Sequence, residues 1–125
     1  MRFTLASLLA GSVAVLAVPN INLGFLGFPS GGKFIAWEAG LSEKDACANY
    51  VTITGSDGGP APPRCGTEFT LDGNTGLSLA CLSDGSTVTG VNQDGAQVES
   101  CSPVSDEGTA CTQGVELTQA YACVV

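Results

Sequence analysis

LSLACLSDGSTVTGVNQDGAQVESC, residues 77–101, is the stretch on which the fold turns. Apolar and β-branched residues alternate with polar ones through Leu77–Leu82, Ser86–Val91 and Ala96–Ser100, and Asp84-Gly85 and Asp94-Gly95 separate the runs. Asp-Gly between such runs favours a type I′ turn, which needs positive φ at both central positions. The reading is an antiparallel meander. With two-residue turns, Cys81 lies opposite Val88 and Val88 opposite Cys101. The two thiols then share a face but stand about 9.6 Å apart, beyond the ~7 Å Cα reach of a disulfide. Cys81 is therefore expected not to pair with Cys101.

Thr67–Leu71 followed by Asp72-Gly73 adds a further strand, and Val51–Thr54 alternates at period two. At the other end, Val115, Leu117, Tyr121, Cys123 and Val125 share one face of a strand, with Gln119 as its polar member. Ser42-Glu43-Lys44-Asp45 resembles a capping box with Ser42 as N-cap, predicting a short helix near 43–50 that turns Cys47 inward. The fold class is β-rich α+β: a small antiparallel sheet or sandwich, stapled by disulfides, with one short helix.

Six cysteines, Cys47, Cys65, Cys81, Cys101, Cys111 and Cys123, are separated by 17, 15, 19, 9 and 11 residues. None of these gaps has the paired close spacing of a zinc site, so three disulfides are expected, with fifteen connectivities open. In a domain this small, bridges worth about 2–4 kcal/mol each are a large share of marginal stability.

Residues 1–17 carry Arg2, an apolar run from Leu5 to Leu16, and Ala17. This pattern predicts a secretory leader cut after Ala17, since the run is shorter than the ~20 residues a bilayer-spanning helix needs. The expected organisation is a leader over 1–17, a Cys-free apolar stretch over 18–40 and a disulfide-stabilised domain over 41–125. After residue 17, twelve carboxylates face Lys33, Lys44 and Arg64, a net charge of −9, and no Lys or Arg follows Arg64. Such a surface repels phosphate backbones and anionic headgroups, so neither nucleic acid binding nor membrane insertion is expected. The chain has no His, which excludes Ser-His-Asp and Cys-His chemistry and His-ligated metals. Asp72-Gly73-Asn74-Thr75-Gly76 opens like a calcium loop, but Leu77 and Ser83 stand where Gly and a bidentate Glu are required. No metal or cofactor is expected, and no N-glycosylation sequon occurs.

Four aromatics, Phe25, Phe28, Phe34 and Trp37, sit in the 18–40 stretch. It reads either as an exposed contact surface or, preferably, as a first strand packed on the core and hinged at Ser30-Gly31-Gly32. The Pro-rich loop over 55–64 ends in Arg64 beside Cys65. Phe25, Phe28, Phe34, Trp37 and Arg64 are the candidate binding residues. An alternative makes Arg64 the specificity residue of a protease inhibitor. A further alternative is a hydrolase built on paired carboxylates.

The leader, the even cysteine set, the Asp-Gly-rich β pattern and the acidic balance together resemble, over the whole chain, the small secreted cysteine-rich proteins of filamentous fungi. The eight-cysteine patterns of hydrophobins and CFEM proteins are missing. The resemblance implies an effector-like, non-enzymatic role outside the cell, by contact with a host protein or glycan. It supplies no functional residues.

Overall fold

The computed structural model describes residues 17–28, 31–55, 64–112 and 114–125, and Phe28 through its backbone alone. Residues 1–16 of the expected leader, Ser30 of the expected hinge and residues 56–63 of the expected loop lie outside the described residues. The strands are β1 (Ile21–Phe28), β2 (Gly31–Glu38), β3 (Val51–Gly55), β4 (Phe69–Leu71), β5 (Asn74–Cys81), β6 (Val88–Gln93), β7 (Ala96–Pro103), β8 (Thr109–Thr112) and β9 (Val115–Val124), with one helix, α1 (Glu43–Ala46). All pairings are antiparallel and follow the order β3-β2-β1-β9-β7-β6-β5-β4. The end strands β3 and β4 approach each other, so the sheet rolls into a nearly closed barrel with a seam between them, not a two-layer sandwich.

β9 lies between the N-terminal hairpin and the meander, with β1 on one edge and both β7 and β8 on the other. β7 and β8 run the same way and form one strand interrupted by residues 104–108. Opposite the interruption, Leu23 pairs with Tyr121 and Gly24 with Gln119, so Ala120 is an extra residue on β9. This bulge corrects the expectation of one continuous face. Val115 and Leu117 pack on the outside of the barrel, whereas Tyr121 and Cys123 pack inside. The interruption satisfies the bulged backbone: Val104 N–H donates to the Ala120 carbonyl at 2.9 Å, and Gln119 N–H to Asp106 Oδ2 at 2.8 Å.

The interior holds Ile21, Leu23, Phe34, Ala36, Leu77, Leu79, Val88 and Val91, with Cys123. A second cluster, Leu26, Ile35, Trp37, Ala46 and Leu117, lies outside the sheet beneath the segment carrying α1. Phe34, Ile35, Ala36 and Trp37 are therefore all fully buried, alternately inside and outside. That double coverage explains why β2 reads as a continuous apolar run. The 18–40 stretch supplies two strands, β1 and β2, where a single first strand was expected.

Ser42 caps α1 by accepting from Asp45 N–H at 3.1 Å, but the helix ends at Ala46 and is shorter than 43–50. It is pinned to β8 by the Cys47–Cys111 bridge, by Lys44 Nζ donating to the Ala110 carbonyl at 3.1 Å, and by Thr109 Oγ1 donating to Glu43.

Asp72-Gly73 and Asp94-Gly95 are type I′ turns, with φ of 52° and 81° and of 51° and 89°. Asp84-Gly85 is not. There the turn is longer, and Asp84 accepts from the Thr87 hydroxyl and the Thr87 and Ser86 N–H groups, which hold its carboxyl down at about 2. Cys81 lies opposite Val88 as expected. A bulge at Val98 shifts the next pair, placing Gly90 opposite Ser100 and Val91 opposite Glu99, so Cys101 does not face Val88. The bridges are Cys47–Cys111, Cys65–Cys81 and Cys101–Cys123. Cys81 and Cys101 do not pair with each other.

Candidate functional site

One end of the barrel gathers three of the residues singled out from the sequence. Phe25 and Phe34 face each other across β1 and β2, and their rings meet edge to face with centroids 5.1 Å apart. The Arg64 guanidinium lies 4.2 Å above the Phe34 ring and 5.1 Å above the Phe25 ring. Cys65, bridged to Cys81 at the end of β5, fixes the backbone beside it. Phe34 is fully buried, while Phe25 is 39% exposed and Arg64 half-buried. Thr54, opposite Phe34 on β3, is buried there, and its hydroxyl has no partner among the described residues.

A guanidinium lying over aromatic rings keeps N–H donors for a carboxylate or other planar anion. Among the described residues no carboxylate pairs with Arg64. The end of the barrel thus sets a cation and a part-exposed phenyl ring, above the buried Phe34 and Thr54, on a molecule that is otherwise anionic.

Trp37 does not join this group. It is fully buried under α1, where its ring offers no face to a partner. The Phe28 side chain lies outside the described residues. The contact of Arg64 with Phe34 is not visible in the sequence, because the two are thirty positions apart and only the closure of the barrel makes them neighbours.

Two clefts are acidic. One, of about 540 Å³, opens at the seam and is lined by Glu38, Asp45, Tyr50, Val51, Leu71 and Asp72. The other lies between α1 and residues 105–109 and holds Glu43 and Asp106. Burial and the neighbouring Asp106 push the Glu43 carboxyl up. A hydrogen bond from Glu43 and the Gln119 N–H hold Asp106 down. This is a carboxylate pair of the kind a hydrolase needs, but its contacts to Thr109 and Gln119 already fasten α1 and the β9 bulge.

Sequence reading missed Glu99. It sits on β7, 2% exposed, with both carboxylate oxygens lacking a hydrogen bond among the described residues. Burial pushes its carboxyl up to about 7, and the nearby Ile21 N–H holds that rise back without closing a hydrogen bond. The signal was present: Glu99 stands two residues from Cys101 and so shares its inward face.

No family model, no curated protein and no solved structure matches the chain.

Proposed function

We propose that this small disulfide-rich protein acts outside the cell as a binding module, by contact and not by turnover, through the barrel end formed by Phe25, Phe34, Thr54 and Arg64. The observation that carries the reading is the stacked guanidinium beside a part-exposed phenyl ring. A ligand that brings a carboxylate to Arg64 and an apolar face to Phe25 fits it, whether an acidic glycan or an acidic side chain on a host protein. The same stacking weighs against the inhibitor alternative, because an inhibitory arginine must leave the surface to enter a protease pocket, and here it lies on two rings.

The test is binding of the disulfide-intact chain to immobilised uronic-acid and neutral polysaccharides and to extracellular host proteins. Arg64→Gln and Phe25→Ala should each weaken capture tenfold or more, with circular dichroism unchanged, since stacked pairs of this kind contribute on the order of 1–2 kcal/mol. Equal capture by wild type and both variants would refute the assignment.

A further inference from the structure

Glu99 is a buried carboxylate without a counter-charge among the described residues. From β6 it faces Val91, just past β9 it neighbours Val125, and from β1 it meets the Ile21 backbone, with Gln97 and Ser100 flanking it on β7. Strands β1, β5, β6 and β9 carry no Lys or Arg. The basic side chains after residue 17 are engaged elsewhere: Arg64 on two rings, Lys44 on the Ala110 carbonyl, and Lys33 over the Tyr50 ring. One cation remains for a processed chain, its α-ammonium.

The segment leading into β1 runs close by. Val18 is half-buried against the interior cluster, Asn20 Oδ1 accepts from Val125 N–H at 3.0 Å, and the Ala17 carbonyl lies 3.4 Å from Asn74 Nδ2. Val18 is three residues from Ile21, a reach of about 10 Å at most. A cleft of about 230 Å³ lies beside Glu99.

We propose that the α-ammonium of Val18, freed when residues 1–17 are removed, is the counter-ion of Glu99 and locks this end of the barrel. The inference rests on reading residues 1–17 as a removable leader. Hydrolysis of the Ala17–Val18 bond by a leader peptidase consumes one water, leaving a carboxylate on Ala17 and an ammonium on Val18. That ammonium stays protonated up to about pH 8. An ammonium at hydrogen-bond distance offsets the desolvation of a buried carboxylate, whereas an uncut chain must keep Glu99 protonated or bear that cost. Processing thereby tightens the fold.

The experiment compares the exported chain beginning at Val18 with the same chain N-acetylated, each as wild type and as Glu99→Gln, by urea unfolding at pH 7 with the bridges intact. Acetylation should lower the wild-type folding constant about tenfold or more and leave Glu99→Gln unchanged. The α-amino group of the wild type, followed by NMR, should titrate above its ordinary value near 8, a reading that stands even if Glu99→Gln does not fold. Equal acetylation effects in both backgrounds, or an α-amino group titrating at its ordinary value, overturns the pairing. Exported material that starts elsewhere than at Val18, with the coupling intact in a chain made to start there, overturns the leader reading alone.

Discussion

At Gly24 an added Cβ would stand 2.3 Å from the Thr118 carbonyl oxygen and 2.9 Å from the Gln119 Cα, both backbone, beside the β9 bulge. At Gly27, three residues along the same strand, its nearest neighbour would be 3.8 Å away. Gly24→Ala should therefore lower stability by about 2–4 kcal/mol, and Gly27→Ala by less than about 1, in denaturant unfolding. Comparable midpoints for the two would contradict the close approach of β1 and β9. Glu99 sets a pH dependence with a definite sign. In a chain whose terminus is blocked, its folded carboxyl titrates at about 7, above the ordinary 4.5. The folded state then holds the proton longer, so this contribution is complete below pH 4.5 and is lost as pH rises through 7. The unfolding free energy of the acetylated chain should fall across that window by on the order of 3 kcal/mol, and Glu99→Gln should abolish the fall. A flat profile in the acetylated wild type would show Glu99 to be satisfied in some other way.

At the scale of elements, the segment carrying α1 covers Trp37, and the bridge that holds it spans 64 residues of chain. Replacing Cys47 and Cys111 by Ser should release this cover, cost about 4 kcal/mol on the chain-entropy model, and shift Trp37 emission to the red with strand content retained. An unshifted spectrum would mean that packing holds the segment without the bridge. Local chemistry made some of these elements legible and left others hidden. Asp72-Gly73 and Asp94-Gly95 declare their turns because few other residues accept positive φ, and Ser42 declares a helix start through its side-chain oxygen. The bulges at Val98 and Ala120 declare nothing, because a bulge exists only relative to a partner strand. Each moves residues to the other face, so the period-two reading of 115–125 failed at Ala120 while succeeding on either side of it. α1 is short for a similar reason: the bridge and the contacts of Lys44 and Glu43 to β8 hold it, and they lie more than sixty residues away.

For the whole molecule, the apolar hairpin of β1 and β2 and the C-terminal strand β9 form the middle of a barrel whose seam falls between β3 and β4. Composition foretold the class, since an even set of cysteines and a scarcity of helical periodicity leave little besides a stapled sheet. It did not foretell the closure, which is what brings Arg64 over Phe34. The disulfides are the covalent record of that closure. Cys47–Cys111 ties the outer cover to β8, Cys65–Cys81 fixes the Arg64 backbone to the meander, and Cys101–Cys123 joins the meander to β9 beside the N-terminal hairpin. Proteolysis of the native protein under non-reducing conditions, with the linked peptides assigned by mass, tests the account most directly. It should return these pairs and no free thiol; a Cys81–Cys101 linkage, or any exchange among the pairs, would contradict the barrel and the site built on it.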